Sequence, residues 1–256
     1  MTEEQRQRLA ALKAQVKNKQ PDMTDKIIVT TYTDPACIWC WRMEPVLRRL
    51  EAHWGDQWIL RTVMGGMSPE THPLNIAVKA AQKVDASKAD AFLYNLRAAH
   101  FVEDRDPYQT EILEEIIQES GLDINAFRSY MDDGSAQKAF VGDLYLAGEA
   151  EVTSFPTFSI KYNQKTFILR GFVEFDVFME AILEIMGRVI MPRFPKVTDQ
   201  DFLDMLAKHP RMSREEIESA FNFSKDEPME KFLNRLLEEG RIQMTHFDKT
   251  FFVSRI

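Results

Sequence analysis

The sequence predicts an α/β domain that is interrupted by a block of helices and followed by a small α+β module. Three observations support this fold class: a β-α-β pattern begins near residue 27, helical pattern runs on to about residue 146, and a β-β-α pattern ends near residue 186. Pro192 and Pro195 then mark a linker. We therefore predict an N-terminal helix at 1–25, the α/β domain at 26–190 with its helical insertion at about 68–150, and the module at 196–256.

The composition is that of a globular protein with no general attraction for polyanions. Of its 256 residues, 45% are hydrophobic and 28% are charged, and the net charge is −8. A negative protein does not bind nucleic acid or anionic membrane nonspecifically. The N-terminal segment is charged throughout, and no window reaches the ~18 uninterrupted apolar residues of a membrane span. We expect a cytoplasmic protein with no signal peptide, no nucleic-acid partner and no membrane contact.

The first elements place two cysteines at a strand-to-helix turn. Residues 3–19 carry an apolar stripe, typical of a capping helix or of an arm that binds a partner or a second copy. Residues 27–32 are rich in β-branched side chains and predict a buried strand. A helix is predicted for RMEPVLRRLEAHWG, and a second strand for residues 58–64, before Gly65 and Gly66. Cys37 and Cys40, the only cysteines, lie between the first strand and the helix.

The rest of the domain is predicted to be helices, a hairpin and one final helix. From about residue 73 to 146, apolar residues recur at spacings of three and four, with Gly121 and Gly134 as helix stops. Residues 158–162 and 166–169 predict a hairpin around Asn163 and Gln164, and 175–186 predict the last helix.

The module combines three short helical patterns with a terminal strand pair. The strands RIQMTH and TFFVS turn at Asp248 and Lys249, and this order resembles a winged-helix module. Residues 196–256 contain ten basic and twelve acidic side chains, and the third helical pattern is rich in acidic ones. Because a DNA reader needs a basic face, DNA binding is not expected. We predict a packing role, or a contact with a protein partner or a second copy.

The Cys37-x-x-Cys40 spacing favours thiol chemistry. A sulfur at a helix N-terminus faces unsatisfied N–H groups, which favour the thiolate and lower a cysteine pKa from about 8.5 to between about 3.5 and 7.5. Cys37 is then the attacking thiol, and Cys40, one turn further on and less exposed, is the resolving thiol. Zinc is disfavoured because the sequence has no second cysteine pair and its five histidines are scattered, so we predict no metal. Coincidence, meaning two small buried residues, remains open.

Two prolines bear on the same site. Pro45 falls within a helical pattern, where proline costs about 3 kcal/mol, so we predict a kinked helix next to the thiols. Pro156 follows Ser154 and Phe155 and leads into the strand at 158–162. Its position could be that of an ordinary edge residue at a strand start. A cis Phe155–Pro156 bond would instead turn the backbone towards the thiols and offer strand-like pairing to a substrate peptide.

These motifs resemble the thioredoxin fold, and the helical insertion resembles its DsbA-like branch. "TDPACIWCWRMEPVLRRLE" with "VMGG" after the next strand is most similar to cytoplasmic DsbA-family proteins, the group of FrnE-like dithiol oxidoreductases and SpxH-type protease adaptors. The resemblance covers about residues 26–188. It implies that Cys37 and Cys40 are a redox pair with cis Pro156 beside them, and that no cofactor is needed, with glutathione a candidate co-substrate. Ile38 and Trp39 replace the proline and histidine of periplasmic DsbA, so we expect a weaker oxidant.

Neighbouring side chains have functional and structural interpretations. We expect Ser154 and Phe155 to line the substrate site because they precede Pro156, and Trp39 to form substrate surface. Asp34 is assigned to the substrate site, where it could accept a proton or hold the Cys37 loop; an Asx-type turn is the structural alternative. Glu44 is expected to be a solvated charge, and Trp41 is equally compatible with core and surface.

Three functions fit the sequence. The first is a thiol–disulfide oxidoreductase or isomerase that acts on protein, peptide or glutathione mixed disulfides through Cys37 and Cys40. The second is a redox-sensing adaptor that holds a client protein for another machine. The third is a glutathione-dependent isomerase or transferase, which the presence of Cys40 disfavours.

Overall fold

The computed structural model describes residues 26–187, 192 and 197–256. The helix predicted at 3–19 and most of the predicted linker lie outside these residues. In the β-rich part of the domain the elements are β1 (Ile27–Thr33), α1 (Ile38–Arg42), α2 (Glu44–Trp54) and β2 (Trp58–Met64). The helical block contains α3 (His72–Val84), α4 (Ala89–Phe101), α5 (Thr110–Glu119), α6 (Ile124–Asp132) and α7 (Ser135–Glu149). The domain ends with β3 (Thr157–Tyr162), β4 (Lys165–Arg170) and α8 (Phe175–Ile185).

A four-stranded sheet carries the domain, in the order β2-β1-β3-β4. Strands β1 and β2 are parallel, whereas β3 runs antiparallel to both β1 and β4. Tyr32 pairs with Thr157, so the end of β1 that leads to the cysteines lies beside the start of β3 that follows Pro156. The sheet therefore brings together two segments that are more than one hundred residues apart in sequence.

Two apolar cores flank this sheet. Alternate residues of β1, Ile27 and Val29, are buried against α2 and α8, in the period-2 pattern of a strand with one face on a helical layer. A second core holds the helical block together around Phe92 and Phe127, whose rings lie 5.6 Å apart. The helix periodicity in residues 73–146 thus corresponds to a separately packed helical layer.

The chain breaks helical geometry at Met43, between α1 and α2. Pro45 therefore lies in the first turn of a new helix, where its missing N–H removes no helical hydrogen bond. The prediction of one kinked helix around Pro45 is corrected to two helices in sequence. The Met43 sulfur also accepts a hydrogen bond from the Val173 N–H at 3.4 Å, which fixes the junction to the loop before α8.

The C-terminal module comprises α9 (Asp199–Lys208), β5 (Arg211–Ser213), α10 (Arg214–Ala220), α11 (Met229–Glu238), β6 (Ile242–His246) and β7 (Phe251–Arg255). Its sheet has the order β5-β7-β6 and is antiparallel, and its core is centred on Phe202 and Phe232. Strand β5 is absent from the elements predicted above, because three residues are too few to carry a periodic pattern. The winged-helix likeness and the domain boundaries stay predictions.

Candidate thiol site

Cys37 occupies the N-cap of α1, and its sulfur accepts the N–H of Cys40 at 3.3 Å. This contact is the local capping interaction that the Cys-x-x-Cys spacing allows. Both cysteines are free thiols. Cys40 was expected to be the less exposed thiol, but accessible surface does not separate the two, since each residue has only 3% of its surface accessible.

The two thiols differ in ionisation rather than in exposure. The contact from Cys40, backbone N–H groups and the charge of Arg97 lower the pKa of Cys37 to about 7, although burial opposes this. Burial raises the pKa of Cys40 well above its ordinary value, and the neighbouring Cys37 adds to the rise. Near neutral pH, Cys37 is therefore the thiol with a substantial thiolate fraction, while Cys40 keeps its proton.

The backbone before Pro156 faces Cys37. The Phe155–Pro156 peptide bond is cis, and the Cys37 sulfur lies 3.8 Å from the carbonyl oxygen of Phe155. Ser154 is exposed, Phe155 is half-buried and Pro156 is buried. The structure thus brings Phe155 and Pro156 to the thiols and leaves Ser154 on the rim.

Gly65 explains part of the "VMGG" motif. The ring of Phe155 lies over this residue so closely that a Cβ atom at Gly65 would stand 1.9 Å from Phe155 Cε1. Only glycine permits that approach. Gly66 has a φ of +63°, so the second glycine serves the backbone turn that follows β2.

Asp34 is a buried organiser of the loop and has no surface for substrate. It is 0% exposed, and one carboxylate oxygen accepts the Ala36 N–H at 2.8 Å, as in an Asx turn. The other oxygen accepts hydrogen bonds from the Met67 N–H, the Thr71 hydroxyl and the Asn75 amide at 2.6–2.9 Å. The assignment of Asp34 to the substrate site is therefore corrected to a structural role, which ties the cysteine loop to the start of α3.

An apolar rim, formed by Ile38, Trp39 and Phe172, surrounds the exposed side of the thiol site. These side chains are 40–48% exposed, and the rings of Trp39 and Phe172 are 6.3 Å apart. The Arg42 guanidinium lies 4.9 Å from the centre of the Trp39 ring, which steadies it by a cation–π contact. Trp41 points elsewhere: its ring packs 5.1 Å from Tyr94 of α4.

Buried charges lie on the other side of Cys40. Arg97 of α4 donates to the Thr33 hydroxyl, to the Asp34 carbonyl at 3.4 Å and to the Glu44 carboxylate at 2.6 Å. Glu44 is also bound by Arg48 at 3.3 Å and is only 9% exposed, and burial raises its pKa. The expectation of a solvated Glu44 is wrong, because two guanidinium groups from different helices compensate its charge inside the protein.

A cavity of about 630 Å³ lies between α2, α4 and the C-terminal module. Its wall includes Cys40 and Pro156 from the thiol site and the three buried charges, which we call the charged cluster: Arg97, Glu44 and Arg48. The module contributes wall residues from its strands and from the turn before β5, namely Pro210, Arg211, Gln243, Thr245 and Ser254. The resolving-thiol candidate thus borders a space that the module helps to enclose.

Sequence reasoning missed Arg97 and Phe172. Arg97 lies in the amphipathic pattern of α4, where a charged residue is normally assigned to the solvated face, so no local signal distinguished it. Phe172 follows Gly171 in a turn, where periodicity is silent. Among the residues that the structure describes, no group of three or more metal-ligating side chains is placed to hold an ion, and no helix is long and apolar enough to cross a membrane.

Comparisons with known proteins agree with this architecture. Residues 66–180 match a family model described as thioredoxin. The ClpXP adapter protein SpxH of Shouchella clausii is 21% identical over 262 residues, covering 86% of this chain and 85% of that protein. The cytosolic disulfide reductase DsbM of Pseudomonas aeruginosa, also solved with GSH, superimposes with a TM-score of 0.51 at 22% identity, over 64% of this chain and 100% of DsbM. The thiol-disulfide exchange protein α-DsbA2 of Wolbachia pipientis gives a TM-score of 0.52 at 14% identity, over 67% and 92% of the two chains.

The predicted fold class is confirmed: the domain is thioredoxin-like with a DsbA-like helical insertion, and the chain is related in sequence to SpxH adaptors. The structural neighbours cover about two thirds of the chain, whereas the SpxH relative extends over most of it. Thiol–disulfide proteins thus share the fold, and named adaptors share the longer stretch of sequence.

Proposed function

We propose that the protein is a thiol–disulfide oxidoreductase that acts on apolar protein or peptide segments. The observation that carries the proposal is the asymmetry of the two thiols: a Cys37 sulfur with a pKa of about 7 beside the cis Phe155–Pro156 bond, and a Cys40 thiol whose pKa burial keeps high. A pair with one thiolate and one protonated thiol is the arrangement that disulfide exchange needs.

In the first step, the Cys37 thiolate attacks one sulfur of a substrate disulfide. A bond forms between Cys37 and that sulfur, the substrate S–S bond breaks, and the second substrate sulfur leaves as a thiolate that takes a proton from water. The carbonyl of Phe155 contacts Cys37, and the residues that flank Cys37 form part of the apolar rim, so an extended peptide would dock on this surface.

In the second step, Cys40 loses its proton and attacks the Cys37 sulfur. The Cys37–Cys40 bond forms, the bond between Cys37 and the substrate sulfur breaks, and the departing substrate thiolate takes up the proton that Cys40 gave up. The substrate leaves fully reduced, so two electrons pass from the protein to the substrate. Two thiols of a dithiol protein or of glutathione must return those electrons. Glutathione is part of the proposal, and the fold neighbour DsbM has been solved with GSH. We also place this reaction in the cytoplasm, as the sequence predicts, and DsbM is itself a cytosolic reductase.

The reduction potential of the Cys37–Cys40 pair tests this proposal directly. A thiolate pKa of about 7 is that of thioredoxin rather than that of DsbA, near 3.5, so we expect a potential nearer to about −270 mV than to about −120 mV. Fluorescence of Trp39 and Trp41 in glutathione or dithiothreitol buffers reports the redox state. In turnover assays, Cys37→Ser abolishes disulfide reduction and Cys40→Ser accumulates the mixed disulfide. If the wild-type chain forms no Cys37–Cys40 disulfide in any buffer, the dithiol mechanism is wrong.

An adaptor function is the second candidate, favoured by the length of the match to SpxH. In this function the chain holds a client protein and the thiols report oxidation. Binding of a client by the Cys37→Ser variant at wild-type affinity, together with no reductase turnover by the wild-type chain, would replace the enzyme proposal with this one.

A further inference from the structure

Several polar contacts join the C-terminal module to the domain, among them His209 with Glu51 at 2.6 Å and Arg211 with Glu103, and one of them is made by a carboxylate that water does not reach. Glu216 of α10 is 0% exposed. It accepts hydrogen bonds from the Arg48 guanidinium at 3.1 Å, from the Tyr94 hydroxyl, and from the Ser213 N–H at 2.8 Å. Only Ser213 belongs to the module; Arg48 lies in α2 and Tyr94 in α4. Glu216 therefore keeps two of its three protein donors only while the module is docked on both helices.

The residues that make this contact also cap the N-terminus of α10. Ser213 and Glu216 form a reciprocal capping box at the beginning of α10, with the Ser213 hydroxyl accepting the Glu216 N–H at 3.3 Å. One carboxylate therefore serves two purposes, since it caps α10 and binds a cation of the neighbouring domain. An ordinary capping-box glutamate is solvated, so its complete burial here points to the second purpose.

Arg48 continues the contact towards the thiols. It is shared by Glu216, Glu44 and Glu51, and Glu44 in turn binds Arg97 beside Cys40. A second, apolar path runs in parallel: Phe252 of the module packs against Tyr94, whose other side packs against Trp41, the residue after Cys40. The charged path ends at Arg97, beside Cys40, and the aromatic path ends at Trp41 in α1.

The module also closes the space behind Cys40. Residues of its β5 and β6 strands form part of the wall of the cavity that Cys40 lines. If the module moves away, that wall is lost and the cavity beside Cys40 opens to bulk solvent.

We propose that the C-terminal module is the back wall of the thiol site, and that Glu216 is a positioning residue which fixes this wall to Arg48 and Tyr94, so that Cys40 is shielded from small thiol reagents in bulk solvent. The module thereby maintains the difference between the two thiols on which exchange depends. This inference rests on the proposed function only for the roles of the thiols, because shielding of Cys40 can be measured without turnover.

The test is the alkylation rate of Cys40 by iodoacetamide in a Cys37→Ser chain. The added Glu216→Gln substitution keeps the size of the side chain but replaces a charged hydrogen-bond acceptor of Arg48 by a neutral one at a buried contact. We expect the rate at pH 8 to rise at least about ten-fold, because the variant loses the one carboxylate of the module that binds Arg48, although Glu44 and Glu51 still compensate its charge, and a weaker contact favours local opening. Tyr94→Phe removes one donor to Glu216 and is expected to raise the rate less. Glu218→Gln, in the same helix but paired with Arg214 on the surface, is the matched control and leaves the rate unchanged.

A second control distinguishes a general loss of stability from loss of the Glu216 contact itself. Phe232→Leu weakens the module core. Urea unfolding measures its loss of stability, and a low concentration of urea brings the two variants to the same free energy of unfolding before their alkylation rates are compared. Equal acceleration by the matched Phe232→Leu chain overturns the proposal, as does an unchanged rate in folded Glu216→Gln and Tyr94→Phe chains. If the Glu216→Gln chain does not fold, the Tyr94→Phe result decides. If Glu216→Gln speeds alkylation of Cys40 but the wild-type chain has no reductase activity, only the enzyme proposal is refuted. If the wild-type chain reduces disulfides but Glu216→Gln does not speed alkylation, only the proposed role of the module is refuted.

Discussion

The two sides of Cys40 have opposite characters. On the side of Cys37 and the cis bond, the protein presents exposed apolar rings, Trp39 and Phe172, with few polar partners. On the other side it buries Arg97, Glu44 and Arg48 in mutual contact. The first side is where we propose that substrate docks, and the second holds the charges that stabilise the fold behind the thiols, with Arg97 adding to the lowering of the Cys37 pKa. Mutations on the two sides should therefore change different quantities.

The largest expected effect comes from the buried side. Arg97→Met removes a guanidinium that binds Thr33, the Asp34 carbonyl and Glu44, and leaves Glu44 with Arg48 alone. Breaking a buried pair from one side costs about 3–5 kcal/mol, and we expect that loss in the free energy of unfolding by urea. Arg128→Met, which removes an exposed guanidinium paired with Glu114, should change it by less than about 0.5 kcal/mol.

The double variant Arg97→Met, Glu44→Gln sharpens this result. Because it removes both buried charges, we expect it to regain part of the lost stability. A single Arg97→Met variant with wild-type stability would mean that this cluster contributes nothing to the fold.

The next effect is a pH dependence that belongs to Cys37. Its pKa is about 7 when folded, against about 8.5 for an ordinary cysteine, so folding favours the thiolate. The resulting stability is complete above pH 9 and is lost as the pH falls through 7. The difference of about 1.5 units corresponds to at most about 2 kcal/mol.

Urea unfolding of the reduced wild-type and Cys37→Ser chains at several pH values measures this contribution. The wild-type chain should gain stability over the variant between pH 7 and pH 9. Cys40 acts in the opposite direction above pH 9, because its pKa is raised, so the comparison stops there. A stability difference that does not vary from pH 6 to pH 9 would show that the Cys37 pKa is not lowered.

A smaller effect is expected where the two sides meet, at Gly65. An alanine Cβ would overlap the Phe155 ring, and overpacking of this kind typically costs about 1–3 kcal/mol. Gly142→Ala is the matched control, because nothing lies within 4 Å of its added Cβ and a helical alanine stabilises by about 0.5–1 kcal/mol. Thermal unfolding distinguishes the two, and the double variant Gly65→Ala, Phe155→Ala should recover stability. Equal behaviour of the two glycines would disprove the close approach.

The sequence predicted the apolar side of the site better than the buried one, for a physical reason. Cys37, Phe155 and Pro156 lie in motifs whose local backbone, a helix start and a strand start, brings them together once the sheet register is known. Trp39 lies between the cysteines, so its place at the site follows directly. Local pattern is enough for these residues.

Arg97, Glu44 and Glu216 could not be assigned in this way. Each lies at a helix position where a charged side chain normally faces water, and each is buried by an element distant in the chain. Asp34 is the intermediate case: its Asx turn was among the predicted alternatives, whereas its bonds to Thr71 and Asn75 depend on where α3 packs. Burial of a charge is a property of tertiary packing, which no single-sequence period records.

The smallest effect on stability, and the most selective one on activity, is expected at Trp39. Its ring is 48% exposed, so Trp39→Ala should change the unfolding free energy by less than about 0.5 kcal/mol. The lost apolar contact should instead raise KM for a disulfide peptide with large apolar side chains by several-fold and leave kcat nearly unchanged, since the thiols and the charges behind them are untouched. Glutathione disulfide, which has little apolar surface, should be reduced equally well by the variant and the wild-type chain. If both substrates lose rate in proportion, Trp39 acts on the thiols themselves, and the division between an apolar side that selects substrate and a charged side that stabilises the fold does not hold.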